Sequence, residues 1–142
     1  MSKPYVNPTV PFKQRVNLEN QKVYIINGRP LPDCTSFNFN FQNGQAANVK
    51  DIPFQFLVMF EPKKSIVTRN MQDGQWSEDT IVYDFLFSKD EDFITEIDVD
   101  NTEYTVTVND LEITRFKHRM LPDIVDAFVI QDDLILTEVQ VN

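Results

Sequence analysis

The segment Ser36-Phe37-Asn38-Phe39-Asn40-Phe41 carries an aromatic residue at every second position with a small polar residue between. A helix would scatter these phenylalanines around its axis. A β-strand, whose side chains alternate between faces, puts all three on one side. The segment therefore predicts a strand with one face against a core. The same period recurs where Phe93, Ile97 and Val99 oppose Glu96 and Asp98, where Tyr104, Val106 and Val108 alternate with threonines, and at Leu134 and Leu136. Between these runs stand Asn27-Gly28, Asn43-Gly44, Asp73-Gly74, Asn101 and Asn109-Asp110. Each is expected to turn the chain, because such residues tolerate left-handed backbone or form local side-chain turns. Only Phe116 to Val125 is open to a helical turn, and Pro122 limits it. The fold class is all-β and antiparallel, with a sandwich preferred to a barrel.

A length of 142 residues suits one core, and 12 Phe with 4 Tyr supply material to fill it. Pro4, Pro8 and Pro11 interrupt the start, so residues 1–12 are expected to be an extended arm on the surface or edge of a domain spanning 13–142. A net charge of -9 argues against nucleic acid and anionic membrane surfaces, both of which would repel the chain. Cys34 stands alone, which excludes an intrachain disulfide and suits a reducing, cytoplasmic setting. The start has no basic flank followed by an apolar run, and no stretch approaches the roughly 20 apolar residues that a membrane helix needs. Neither a signal peptide nor membrane insertion is expected.

Catalytic patterns are weak. A triad would have to use His118, the only histidine, with no G-x-S-x-G element, and the neighbouring Asp33 disfavours a thiolate at Cys34. Carboxylates such as Glu61, Glu78 and Asp79 belong to a background of 22 acidic residues, so they do not by themselves suggest glycoside hydrolysis. The stretch from Asp98 starts like a calcium loop but has Glu103 at the sixth position and Asn109 at the twelfth, where Gly and Glu are required. One His and one Cys cannot close a zinc site. No cofactor or metal is expected, and binding is preferred to catalysis. Trp76, the only tryptophan, lies in the polar setting Asp73-Gly74-Gln75-Trp76-Ser77-Glu78, which favours exposure and marks the candidate binding face.

Gly28-Arg29-Pro30-Leu31-Pro32-Asp33 followed by Phe37-Asn38-Phe39-Asn40-Phe41 resembles the opening strands of a galectin domain. Asp51-Ile52 through Met59-Phe60-Glu61-Pro62-Lys63 is similar to the galectin strand that ends in His-Phe-Asn-Pro-Arg, with Val67, Asn70 and Trp76 following. Phe116-Lys117-His118-Arg119 and Ile130 to Val139 resemble the closing strands. The resemblance implies a two-sheet, jelly-roll-like sandwich whose concave sheet holds a β-galactoside, with a tryptophan under the sugar ring. It places the family's His on Met59, its first Asn on Glu61, its first Arg on Lys63 and its second Asn on Asn70. The tryptophan falls on Trp76, the Glu on Asp79 and the second Arg on Ile81. The interval from Lys63 to Asn70 is several residues shorter than usual, which implies a trimmed loop beside the sugar.

Sugar hydroxyls are held by hydrogen bonds, and bonds to charged partners contribute about 1.5–3 kcal/mol each. Losing a His and an Arg, roughly 4 kcal/mol together, is about a thousandfold in affinity. The expectation is a galectin-like carbohydrate-binding protein weak or altered toward β-galactosides, with Trp76, Asn70, Asp79, Glu61, Lys63 and Met59 as its contacts. Its partner would be a glycan or glycoprotein, not necessarily a galactose-bearing one. The alternative is a sugar-independent protein-interaction domain on the same scaffold. The resemblance also implies the option of a homodimer through terminal strands, and of non-classical export from the cytoplasm to the extracellular space.

Overall fold

The computed structural model describes residues 3–142, so the first two residues of the expected arm lie outside the described residues. The alternating phenylalanines form a strand, β4 (Ser36–Gln42), preceded by β1 (Tyr5–Val6), β2 (Phe12–Arg15) and β3 (Val23–Pro30). After it come β5 (Ile52–Met59), β6 (Ser65–Gln72), β7 (Gln75–Trp76), β8 (Thr80–Val82), β9 (Phe93–Val99), β10 (Glu103–Val108), β11 (Leu111–Lys117), β12 (Ala127–Asp132) and β13 (Leu134–Val141). All pairings are antiparallel. One sheet has six strands in the order β1-β13-β3-β9-β10-β11, and the other has seven, β2-β12-β4-β5-β6-β7, with β8 also paired to β6. The only helical turn among the described residues is a 3-10 turn, Pro122–Ile124, inside the one segment open to it.

The two sheets face each other across an aromatic core. Phe37, Phe39 and Phe41 of β4 and Phe54 and Phe56 of β5 point inward together and are fully buried. They meet rings from the opposite sheet: Phe54 stacks on Tyr104 with centroids 4.4 Å apart, and Tyr24 meets Phe41 edge-on at 4.8 Å. Such pairs contribute about 0.5–1.5 kcal/mol each beyond the area they bury. Two hairpins turn as expected. Asp73-Gly74 joins β6 to β7 and Asn109-Asp110 joins β10 to β11, with φ of 51° and 78° in the first and 48° and 70° in the second. Two left-handed residues in succession give the turn whose twist matches the flanking strands.

Asn27-Gly28 departs from expectation. It lies inside β3, with Gly28 opposite Leu136 on one side and Phe93 on the other. A Cβ at Gly28 would stand 2.8 Å from the Ile135 carbonyl oxygen and 3.3 Å from the Phe93 ring. The glycine serves close approach of strands, beside a bulge where the β13 register shifts between Leu136 and Glu138, and no turn is made there. The proline-rich start runs along the sheet edges. Tyr5 and Val6 pair with β13 at the margin of one sheet, and Phe12 enters the core from the margin of the other.

Candidate functional site

Since the phenylalanines of β4 and β5 point inward, the residues between them must line the outer face of the seven-stranded sheet. The register arranges that face in rows across β4, β5 and β6. Ser36, Met59 and Ser65 form the first row, Asn38, Leu57 and Val67 the second, and Asn40, Gln55 and Arg69 the third. Ile81 of β8 extends the second row, and Met71 with Trp76 of β7 ends the face. Met59 and Trp76 thus stand at opposite ends, separated by a row that is apolar except for Asn38 and by the polar row Asn40, Gln55 and Arg69.

Trp76 is held by the geometry of its hairpin. Its strand leaves the two-residue turn at Asp73-Gly74, and that tip is tied to the β4–β5 connection. The Asp73 N–H donates to the Asp51 carboxylate at 3.0 Å, and the Gly74 N–H to the Lys50 carbonyl at 2.9 Å. On the far side the Ser77 N–H donates to the Asn70 carbonyl at 2.8 Å, and the Asn70 N–H to Ser77 Oγ at 3.0 Å. The indole is left 38% exposed on the outer face, as the polar flanks implied.

Arg69 stacks on its ring. The guanidinium carbon sits 3.8 Å from the indole centroid, stacking distance for a cation–π contact. Arg69 Nε donates to Gln55 Oε1 at 2.8 Å, and Arg69 Nη1 is 3.8 Å from Asp79 Oδ1. Burial pulls the Arg69 guanidinium below its ordinary value, with Asp79 pulling the other way. It stays cationic all the same. Asp79 thus stands beside the Trp76 hairpin as the partner of Arg69, an arginine not among the candidates drawn from the sequence.

Asn70 points elsewhere. It shares a strand face with Ile66 and Thr68, which are fully buried, and is itself 6% exposed. Its Nδ2 lies 3.4 Å from Met120 Sδ, and its Oδ1 accepts from Arg119 Nη1 at 3.3 Å. Arg119 also donates to Ser77 Oγ at 3.2 Å and Thr80 Oγ1 at 3.1 Å while stacking on Phe116 at 4.5 Å. Asn70 thus helps brace the strand segment behind Trp76, and Arg69, one residue earlier, holds the outward position. Strand alternation carries the signal that finds Arg69, since Val67 outward makes Arg69 outward and Asn70 inward.

Glu61 and Lys63 do not continue the β5 face, because β5 ends at Met59 and both lie in the connection to β6. Glu61 pairs with Lys89 at 3.4 Å rather than with Lys63, and Lys89 Nζ also lies 5.7 Å from the Phe60 ring centroid. Met59 is on the outer face, as its parity requires, and has no strong hydrogen-bonding group. His118 is structural in its contacts: Nε2 lies 2.7 Å from the Asp100 carbonyl oxygen at the end of β10 and β11. Asp100 itself closes a local turn, its carboxylate accepting from the Thr102 and Glu103 N–H groups at 2.7 and 2.8 Å. A cavity of about 380 Å³ at the end of the sandwich is lined by Leu18, Lys22, Asp100, Pro122 and Asp126 among others, none of them on the Trp76 face. Among the described residues no three His, Cys, Asp or Glu side chains are grouped to hold a metal, and no helix is long and apolar enough to cross a membrane.

The family model for galactoside-binding lectins matches residues 10–141. Galectin-8 of Rattus norvegicus is 28% identical over 124 residues, covering 85% of this chain and 39% of its own length. Galectin-4 of Bos taurus is 26% identical over 138 residues, covering 96% of this chain and 41% of its own length. The chain thus spans about two fifths of the length of these curated relatives. Among solved structures, sheep galectin-11 in complex with glycerol superposes with a TM-score of 0.83 at 25% identity, covering 93% of this chain and 97% of that one. A singly substituted form of human galectin-16 gives 0.85 at 26% identity, covering 97% and 99%. The two-sheet antiparallel sandwich is the fold of these neighbours, and with the family match over nearly the whole chain it shows that this chain belongs to the galectins, the family of galactoside-binding lectins.

Proposed function

We propose that this chain binds a glycan or glycoprotein on the outer face of the seven-stranded sheet beside Trp76, with weak or altered affinity for β-galactosides. One observation carries the reading: of the outward positions between Met59 and Trp76, Leu57, Val67 and Ile81 are apolar, Asn38 and Asn40 of β4 are only 5% and 3% exposed, and the charged group Arg69 is engaged by Gln55, Asp79 and the indole. Apolar side chains offer sugar hydroxyls no partner, and each hydroxyl desolvated without one costs about 1–3 kcal/mol. Two such losses reach roughly 4 kcal/mol, or a thousandfold. Isothermal titration with lactose is expected to give no saturable heat in the micromolar range, and a micromolar Kd would refute the reading. On a glycan array, binding to some non-galactose or modified glycan is expected, and Trp76→Ala is expected to abolish it.

A second reading is a sugar-independent interaction domain. It is favoured by the internal contact of Arg69 on Trp76, which already covers ring surface. Under it Trp76→Ala spares partner binding, and the array is silent for the native chain.

A further inference from the structure

Arg69 is placed on one particular face of the Trp76 ring. Its guanidinium is 3.8 Å from the indole centroid while its Nε bonds Gln55 of β5 at 2.8 Å. Trp76 stands at the β7 margin of the sheet, and β6 lies between it and β5. A group that touches both must lie above β6, on the ring face turned toward the middle of the sheet. A ligand lying over the middle of the sheet would meet the ring on that same face.

A guanidinium and a pyranose are both flat enough to stack on an indole, and a stacking separation of about 4 Å leaves room for only one of them. The arginine is held there by more than the ring. Gln55, 6% exposed, anchors Nε, and Asp79 stands 3.8 Å from Nη1. The Arg69 side chain is 22% exposed, unlike the freely solvated arginines of an ordinary surface pair. A neutral sugar would have to expel it, losing one cation–π contact and one charge-assisted hydrogen bond, a penalty of about thirtyfold to a few thousandfold in affinity.

We propose that Arg69 is the specificity-determining residue of this site, an internal occupant of the Trp76 ring face that excludes neutral pyranoses. The proposal rests on the reading that ligands of this chain approach the outer face of the seven-stranded sheet. Because Trp76 is the only tryptophan, its emission reports the site without a label. Acrylamide quenching of Trp76 is expected to rise in Arg69→Ala over the native chain. Lactose is expected to change Trp76 emission saturably in that variant with a Kd at least tenfold lower than in the native chain. Gln55→Leu, which removes the anchor and leaves the guanidinium in place, is expected to give a smaller gain in both readouts and serves if Arg69→Ala does not fold. Unchanged quenching in both variants would overturn the proposal, as would lactose binding no tighter than in the native chain. A glycan array separates the two levels. Native array binding that is lost in Trp76→Ala, alongside failure of the Arg69 measurements, removes only the role of Arg69. A silent native array alongside lactose binding gained in Arg69→Ala removes carbohydrate binding by the native chain and keeps Arg69 as its cause.

Discussion

Gly28→Ala adds one methyl group at a place where the structure has no room for it. The new Cβ would meet the Ile135 carbonyl oxygen at 2.8 Å, the Phe93 ring at 3.3 Å and a Leu136 methyl at 3.4 Å. The first of these is backbone and cannot rotate away, so β3 and β13 must separate locally, next to the β13 bulge. Overpacking of this kind costs about 1–3 kcal/mol, and the reduced freedom of the unfolded chain returns about 0.4–1 kcal/mol, leaving a net loss of about 1–2 kcal/mol. For a domain of this size that is a fall in Tm of roughly 3–8 °C. Urea unfolding followed by Trp76 fluorescence and far-ultraviolet circular dichroism would measure it, with an unchanged m-value as the sign that only stability has moved. Gly74→Ala is the control. Nothing lies within 4 Å of its Cβ, and its φ of +78° makes the cost one of conformation alone, about 1 kcal/mol. A Gly28→Ala chain as stable as the native one would refute the steric argument, since the clash would then be absorbed at no cost.

The remaining predictions concern charge and reactivity. Asp133 accepts from the Thr35 N–H at 2.9 Å, the Thr35 hydroxyl at 3.0 Å and the Ser36 N–H at 3.3 Å, which together hold its carboxyl below the usual range. A depressed folded value means that the contribution is fully present above the unfolded value near 4 and is lost as pH falls through the folded one. Asp133→Asn should therefore lower stability by about 1 kcal/mol at pH 7, and the difference should shrink in unfolding curves taken below about pH 4. Asp132 beside it moves the opposite way, raised by its own burial and by Asp133, so the difference between variant and native curves is the quantity to read. Cys34 is fully buried, and burial with nearby Asp133 pushes its thiol up to about 11. It should resist a thiol-specific disulfide reagent in the native state and react fully in denaturant, and fast native labelling would contradict this placement.

Sequence carried the fold further than it carried the site. The Phe37-Phe39-Phe41 alternation needs only the pleat to be read, and the pleat does not depend on neighbours. Asp73-Gly74 and Asn109-Asp110 were legible because left-handed backbone is a local demand. Asn27-Gly28 has the same local signature yet sits mid-strand, because the demand there comes from β13, more than 100 residues away along the chain. On β6 the outward position is Arg69, one residue before Asn70. Taking Asn70 as the outward side chain reverses the β6 alternation, and a one-residue slip exchanges every side chain between faces. Glu61 and Lys63 were placed by the resemblance to a strand ending in His-Phe-Asn-Pro-Arg, whereas β5 ends at Met59 and Pro62 lacks the N–H that a paired strand would need. Gln55 gave no sign of its role, since a glutamine matters here only through the arginine opposite it.

The position of β13 bears on how the molecule is made. It lies between β1 and β3 in the six-stranded sheet, so β1 has no neighbour in that sheet until β13 arrives. During synthesis β3 therefore emerges with one pairing edge open and waits for more than 100 further residues before it is covered. A chain leaving the ribosome cannot complete this sheet from the front. It must hold an open, apolar strand edge through most of its own translation, the stage at which pairing with a neighbouring nascent chain competes with folding.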